Sequence, residues 1–508
     1  MRCPVLIVGA GPTGLVLALW LTAYGIKVRI IDKAAEPGTT SRALAVQART
    51  LELYEQLDLA QAVVGHAHKV PAMALWVKGA PAARVPVMEL GRGLTPYPFV
   101  QIYPQDEHER LLIAALEARG VHVERRVELV GLSQDGDHVR AQLRGPAGEE
   151  IDSEAEYVVG CDGARSRVRE AIGGGFPGGT YRHLFYVADV DAAGPVANGD
   201  LHIDLDESDF LAVFPLADAG RVRLIGTVRD ERADRAERLT FDDVSNRAIE
   251  HLRLEVRRVN WFSTYHVHHR VTEHFRNGRL FVAGDAAHIH SPVGGQGMNT
   301  GIGDAVNLAW KLAMVLDGVA PDALLDSYQA ERIGFARRLV NTTDRIFTFV
   351  TAEGPIARQV RTRIVPVVFP RLIASAAFRD FVFRTVSQIG IRYRGSPLAS
   401  GAAGKVHGGD RLPWVADPGQ DNFRTLDLRW QVHAYGSAGS DLARWCDAHR
   451  VPLHVFAYTD AHARAGLARD ALYLLRPDTY VALADRSGDV DALARYFATR
   501  DISLPWRA

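Results

Sequence analysis

Apolar residues Val5 to Val8 give way to Gly9-Ala10-Gly11-Pro12-Thr13-Gly14, and from Leu15 to Tyr24 the chain is apolar almost all round. The first run predicts a buried strand. The second has the length, and the lack of a polar face, of a buried helix. Gly25 can stop that helix in a left-handed cap, and Lys27 to Ile31 reads as the next strand, ended by Asp32. A similar change from strand to bare backbone recurs twice. YVVGCDGARSRVR, 157–169, is a strand followed by Asp162-Gly163. In LFVAGDAAHIHSPVGGQGMNTGIGDAVNLAWKL, 280–312, the run Leu280 to Ala283 ends at Gly284-Asp285, glycines follow at 294, 295 and 297, and a helix is predicted from about Thr300 with no charge until Asp304.

Between these stretches the period changes. Residues 181–271 alternate apolar and polar, as in RHLFYVADVDA, DFLAVFPLA and RVRLIGTVRD, which predicts antiparallel strands. Residues 71–104 hold strand-like pieces, AMALWVKG and YPFVQIYP, broken by prolines. Residues 346–395 return to helical spacing. LASGAAGKVHGGDRLPW, 398–414, reads as a small-residue linker into a compact α/β module with strands near FRTLDLR, PLHVFAYT and ALYLLRPDTYVALAD.

A chain of 508 residues predicts two or three domains. Its formal net charge of -1 gives no reason to expect nucleic acid or an anionic membrane as partner. Cys3, Cys161 and Cys446 lie far apart, which fits neither a disulfide framework nor a zinc set and suits a cytoplasmic protein. The longest apolar stretches are about half the length a bilayer requires. Glycines break the N-terminal apolar run, so it is not read as a signal peptide.

The N-terminal pattern carries chemistry. Gly9, Gly11 and Gly14, with Pro12 and Thr13 between them, permit a tight turn and let backbone N–H groups approach a pyrophosphate at a helix N-terminus. Asp32, about 20 residues on, is placed to bind a ribose hydroxyl. An acid there disfavours a 2′-phosphate, so NAD and FAD both remain open. No second complete G-x-G-x-x-G unit is present.

The 280–312 stretch resembles the second fingerprint of the FAD-dependent aromatic hydroxylases, flavoprotein monooxygenases built like para-hydroxybenzoate hydroxylase. That family has Gly-Asp at a strand end, then Ala-Ala-His, a proline, and a glycine-rich loop into a helix. Here these are Gly284, Asp285, Ala286, Ala287, His288, Pro292, Gly294, Gly295, Gln296, Gly297, Met298 and Asn299. DAVNLAWKL continues the match, and LLDSYQAER, 324–332, is typical of the family. The resemblance implies an α/β fold. A Rossmann-like FAD-binding domain (1–70, 105–180 and 272–345) is split by an antiparallel-sheet substrate domain (71–104 and 181–271). Helices in 346–397 close the cavity. Residues 398–508 resemble the thioredoxin-like C-terminal domain of the phenol and polyketide hydroxylase branch, on GGDRLPW and LLRPDTYVALAD. That module has no Cys-x-x-Cys, so dithiol chemistry is excluded; a structural or subunit-interface role, and with the latter a homodimer, is implied.

The same resemblance distributes roles. Asp285 would bind the ribityl chain. Pro292, Gly295, Gly297, Met298 and Asn299 would lie along the flavin, the helix dipole stabilising the anionic reduced ring. Asp162 and Gly163 would serve FAD and the nicotinamide donor, and Arg42 and Gln105 would contact the flavin. One of Arg165, Arg167 and Arg169 is a candidate for a phosphate. Arg42 would steer the ring in catalysis and Pro292 would act through its backbone. Tyr265, His266 and Tyr186 are candidates for a base. His266 and His268 would share a strand face, but no metal site completes by spacing, and none is expected. The implied reaction has NADPH or NADH reduce FAD. A flavin C4a-hydroperoxide then transfers one oxygen from O₂ to a small phenolic or polycyclic, polyketide-like aromatic. Baeyer–Villiger or epoxidising relatives, and a non-catalytic flavin-binding redox sensor, are the alternatives. The Trp-x-Trp-x-Ile-Pro run of halogenases is missing, since none of the eight tryptophans stand two apart.

Overall fold

A computed structural model of the chain describes residues 2–38, 43–205, 210–216, 218, 220–228, 239–244, 247–291, 293–351, 354, 359–417 and 420–506. Strand Arg2–Val8 sits centrally in the first sheet, parallel to Val28–Asp32 on one side and to Glu150–Gly160 on the other. Leu280–Val282 continues the parallel order beyond Glu150–Gly160, and Val123–Arg125 beyond Val28–Asp32. Val5, Leu6 and Ile7 are fully buried, as a strand covered on both faces requires. Helix Pro12–Ala23 covers one face, with Leu15 to Leu21 buried, and Gly25 follows it at φ +69°.

The second helix of the glycine motifs, Gly297–Leu316, starts three residues before the position the apolar pattern predicts. Gly294 and Gly295, at φ +78° and +60°, complete the reversal before Gly297. The uncharged Gly-Met-Asn-Thr turn carries no periodicity to mark that start.

The second sheet runs, strand by strand, His288–Ile289, Glu255–Val271, Gly178–Ala193, Arg221–Val228, Phe210–Pro215, Leu201–Leu205, Ala72–Val77 and Ala80–Pro86. It is antiparallel except where Leu201–Leu205 meets Ala72–Val77. AMALWVKG therefore extends this sheet. YPFVQIYP does not: it gives only Gln101–Ile102, paired with His68–Lys69 in a separate ribbon. The prolines at 98 and 104 bracket it and leave no room for a longer ladder.

The two faces of this sheet bury different cores. Leu184, Tyr186, Ala188, Leu211 and Leu224 pack on one side with Ala248 and Ile249. Phe185, Val187, Ile225 and Val267 form the other with Leu44, Val70 and Ile102, and there Phe369 and Ile373 of helix Val365–Ala374 close over them.

The C-terminal sheet orders Val406–His407, Ser400–Ala403, Val481–Asp485, Leu472–Leu475, Gln431–Tyr435 and Leu453–Phe456. Gln431–Tyr435 and Leu453–Phe456 are parallel, joined through helix Ser440–His449. An antiparallel hairpin and helix Val490–Ala498 follow. This βαβ–ββα order is the thioredoxin-like arrangement, so the chain is an α/β protein with a Rossmann-like sheet, an inserted antiparallel sheet and a thioredoxin-like unit. Two sequence expectations are corrected. The 398–414 stretch is not a plain linker, because Ser400–Ala403 pairs with Val481–Asp485; a Cβ on Gly401 would lie 2.3 Å from the Ala484 carbonyl oxygen. FRTLDLR is not a strand. Asp427 accepts from Arg429 N at 2.8 Å and Arg429 Nε at 3.0 Å, and such local bonds replace a ladder.

A buried ionic network fastens this unit to the first sheet's helices. Glu331 accepts from Arg476 Nη1 (2.5 Å), Lys311 Nζ (2.9 Å), Asn307 Nδ2 (2.6 Å) and Ser396 Oγ (2.6 Å). Asp478 accepts from Arg476 and from Trp310 Nε1. Arg49 donates to Asp478 O and Thr479 Oγ1 and pairs with Glu52, which Arg411 also holds. Arg476 and Lys311 keep the Glu331 carboxyl ionised, far below its usual range, despite full burial.

Glu331→Gln is expected to lower stability by about 3–5 kcal/mol, because it leaves two buried cations under-compensated. Urea denaturation of the purified protein checks this, and an unchanged midpoint would contradict the role given to the network. A second expectation concerns acid. His108 is fully buried against the Tyr54 hydroxyl (2.8 Å), and burial pushes its ring down to about 3 from 6.5. A depressed histidine leaves the unfolded chain binding the proton first, so its contribution is complete above about pH 6.5 and is lost as pH falls from there toward 3. His108→Asn should flatten the fall of stability between pH 6.5 and 4, measured by denaturation at each pH.

Candidate active site

The turn after the first strand has two kinds of glycine. A Cβ on Gly9 (φ +104°) would lie 2.3 Å from Cys161 O, and one on Gly14 would lie 2.0 Å from Gly9 O, so both serve packing. A Cβ on Gly11 would meet nothing within 4 Å, so this glycine borders open space at the helix start. Pro12 and Thr13 open helix Pro12–Ala23. Asp32 accepts from Ala10 N (2.7 Å) and Ala34 N (2.8 Å), which fixes its carboxylate beside the turn. This is the shape a dinucleotide needs: bare backbone, a helix N-terminus and an acid at its rim.

The Gly284–Asp285 turn is built on a buried carboxylate. Asp304 Oδ2 accepts from Gly284 N (3.0 Å) and bonds His288 Nε2 (2.7 Å), while Oδ1 takes Arg332 Nε (2.6 Å). Arg332 also donates to Thr300 O (2.9 Å) and to Tyr393 OH (2.7 Å). Arg332 and His288 hold the Asp304 carboxyl below its usual range against the opposing effect of burial. Gly284 stands at φ +62°, and Asp285 beside it is exposed. Thr13 ties this turn to the first one, since a Cβ on Gly284 or Gly301 would lie 2.5 or 2.3 Å from its Oγ1.

Asn299 anchors the glycine loop. Its Oδ1 accepts from Gln47 N and Thr50 Oγ1 (both 2.8 Å), and its Nδ2 donates to Ala45 O (2.8 Å) and Gly295 O (3.0 Å). Gly295 thereby stands against Ala45 and Gln47, Gly297 faces His290, and Met298 packs on the main core. Just before the loop, His290 Nδ1 bonds Ser291 O, burial pushes the ring down to about 4, and among the described residues His290 Nε2 and Ser291 Oγ are buried without a hydrogen-bond partner. Polar atoms left over beside a glycine loop fit a ligand with its own polar edge. Asp162 accepts from Arg167 N (2.8 Å), with Gly163 at φ +76°. Gln105 opens helix Gln105–Glu117 and donates to Glu109, which also accepts from Gly38 N.

Arg169 is committed to protein: it donates to Ala286 O (2.9 Å) and Ala164 O (2.8 Å), bracing the Asp162 motif against the Gly284 turn. Arg167 pairs with Glu170 on the surface. Arg42 and Pro292 lie outside the described residues.

The base candidates separate by strand alternation. Tyr265 is register partner of Phe185, and their rings stand 6.2 Å apart on the face with Val187 and Ile225. His266 pairs with Leu184 on the opposite face and is exposed. Tyr186 is buried on that opposite face, stacked on Phe262 at 6.1 Å. Only Tyr265 of the three reaches the wall formed by Phe185 and Val187. His268 bonds Thr180, and no metal-binding group of His, Cys, Asp and Glu occurs among the described residues.

Sequence reasoning missed a further cluster on that wall. Tyr181 packs against it and donates to Asp344, whose other neighbour is His269 Nδ1 at 3.7 Å. The Tyr181 and His269 rings stand 4.8 Å apart. Asp344 comes from helix Asp326–Thr351, far away in sequence, so no local motif marks it.

The family description FAD binding domain matches residues 2–343. 6-Methylpretetramide 4-monooxygenase of Streptomyces rimosus is 34% identical over 97% of this chain and 92% of its own length. Pentachlorophenol 4-monooxygenase of Sphingobium chlorophenolicum is 32% identical over 80% of this chain and 75% of its own. In three dimensions the chain superposes on OxyS anhydrotetracycline hydroxylase from Streptomyces rimosus with a TM-score of 0.80, at 28% identity, covering 99% of this chain and 100% of that one.

The fold and its glycine turns thus define a flavoprotein. The chain belongs to the FAD-binding family of monooxygenases, and it is an FAD-dependent aromatic monooxygenase.

Gly284→Ala tests the turn geometry. A methyl group 2.5 Å from Thr13 Oγ1, at a positive φ, should strip FAD from the purified protein, read as the ratio of flavin to protein absorbance. Full flavin content in this variant would contradict the close packing of the two turns.

Proposed function

We propose that the protein hydroxylates a polycyclic phenol of the polyketide type, drawing electrons from NADPH or NADH. The observation that carries this reading is the apolar wall of Phe185, Val187, Ile225, Val267 and Tyr265, closed by Phe369 and Ile373. Such a surface suits a flat, largely neutral ring system. Relatives named for 6-methylpretetramide, 12-dehydrotetracycline and anhydrotetracycline support it.

In this reading the segments 1–70, 105–180 and 272–345 hold FAD, and the second sheet holds the substrate. The Gly9–Gly14 turn and Asp32 take the pyrophosphate and a ribose. Asp285 takes the ribityl hydroxyls, and Gly295 to Asn299, with Pro292 and Arg42, border the ring. Gln105, Asp162 and Gly163 complete the binding set. The thioredoxin-like unit is structural: burial pushes the Cys446 thiol up to about 12, and the absence of a Cys-x-x-Cys leaves it no dithiol partner. It is also the proposed contact in a homodimer.

Bound FAD supplies the reduction of O₂ and the activated oxygen. The chain supplies the rest. The wall orients the ring and excludes water, which strengthens polar interactions at the reacting carbon. Tyr181 oxygen receives the proton of the substrate hydroxyl as the Tyr181 O–H proton moves to Asp344. Asp344 and His269, both partly exposed, pass it to solvent. A phenolate is more electron-rich than a phenol and is the better oxygen acceptor.

With a polycyclic phenol, oxidation of NADPH or NADH should be stimulated and the product should be one oxygen heavier. Hydrogen peroxide alone from every such compound would contradict the substrate class, and a lactone product would favour the Baeyer–Villiger alternative. Tyr181→Phe should cut hydroxylation by about 100-fold at neutral pH, with recovery as pH rises toward the phenol's own pKa and with FAD content unchanged. A pH-independent loss would remove Tyr181 from the proton path.

A further inference from the structure

Of the nine large hydrophobic side chains exposed among the described residues, five fall within eighteen positions: Ile364 (50%), Val367 (51%), Val368 (42%), Leu372 (45%) and Phe381 (65%). Ile364, which ends the preceding segment Val360–Ile364, stands three and four positions before Val367 and Val368 of helix Val365–Ala374, and Leu372 stands four after Val368, so they share one stripe. The opposite side of that helix is not solvent-facing either in character: Phe369 and Ile373 close the apolar wall. The helix is therefore apolar on both sides and, among the described residues, has a partner on only one.

Charge is concentrated in the same place. Residues 359–386 contain five arginines and one acid, Asp380, a net of +4 in a chain whose total is -1. Arg363 and Arg371 are exposed beside the stripe, and Arg371 folds back onto its own helix at Val367 O (2.7 Å). Arg379 is spent on the helix C-terminus, donating to Ile373 O and Ala374 O. No helix among the described residues is long and apolar enough to cross a membrane. A short helix with exposed aliphatic and phenylalanine side chains flanked by arginines is instead suited to lying in the plane of an anionic lipid surface.

We propose that helix Val365–Ala374, with Phe381 of the adjoining helix Ala376–Val386, docks the protein on an anionic bilayer. Self-association is the other way to cover such a stripe. A two-fold contact, however, would bring the net-positive 359–386 segments of the two copies together, whereas anionic headgroups neutralise them. Docking here would place the closing helix of the substrate wall at the lipid boundary, where apolar polycyclic compounds partition. The sequence alone pointed away from a membrane because net charge averages this basic, apolar segment with an acidic remainder.

The test uses the holoenzyme and vesicles of phosphatidylglycerol with phosphatidylcholine, compared with phosphatidylcholine alone, followed by flotation. Wild-type protein should float with the anionic vesicles and be released by high salt. The triple variant Val367→Gln, Leu372→Gln, Phe381→Gln should lose flotation while keeping its flavin colour, which reports folding. Arg363→Gln with Arg371→Gln should weaken partition about tenfold or more at low salt. No flotation of the wild type, equal flotation of wild type and triple variant, or a dimer in sedimentation that the triple variant abolishes would each overturn the proposal. Flotation is read without turnover, so its failure leaves the oxygenation reading standing.

Discussion

One buried carboxylate organises the flavin half. Asp304 receives the backbone N–H of Gly284, the ring of His288 and the guanidinium of Arg332, all away from water. A lone buried carboxylate would be costly; three hydrogen-bonding partners, one of them a full cation, turn it into a fixed point. From that point the Gly284 turn takes its positive φ, the Gly297–Leu316 helix is set against the strand Leu280–Val282, and Asp285 is left outward. Arg332 extends the same constraint to Thr300 and to Tyr393, which packs with Tyr480 of the C-terminal unit. The site and the docking of the third sheet thus share a foundation.

The inserted sheet works by a different rule. Alternation divides each of its strands between two separate apolar clusters, so neighbouring residues have unrelated uses. Tyr265 and His266, adjacent in sequence, are divided between the two faces. The wall needs few polar groups, and the ones it has are paired across elements: Tyr181 with Asp344, and Arg223 with Asp189. In the proposed reaction, shape and burial select the ring system, and the Tyr181–Asp344 pair is the path for a proton.

Much of this was legible in the chain. The first βαβ unit could be read because Val5 to Val8, the glycine turn, the buried helix and Asp32 are consecutive, and each carries a local signal. The 280–312 stretch could be recognised for the same reason. Asp304 and Arg332 also lie in recognisable phrases, but their pairing is made in three dimensions and no spacing announces it. Tyr265, His266 and Tyr186, the three candidates for a base, are divided between the two faces of the sheet, and only the fold shows that Tyr265 stands with Phe185 and Val187. Tyr181 and Asp344 are separated by most of the insert, so only the fold unites them. FRTLDLR had strand composition, yet its own aspartate and arginine satisfied the backbone first. The small residues of 398–414 looked like a linker because closeness to another strand, rather than flexibility, is what Gly401 provides.

In the proposed reaction an oxygen atom from O₂ reaches an aromatic carbon held against Phe185 and Val187. Its most direct test is turnover of a polycyclic phenol under isotopically heavy dioxygen, with the product examined by mass spectrometry. One heavy oxygen atom is expected in the product ring, with no label acquired from heavy water. Label arriving from water, or dioxygen recovered wholly as peroxide while the phenol is unchanged, would contradict it.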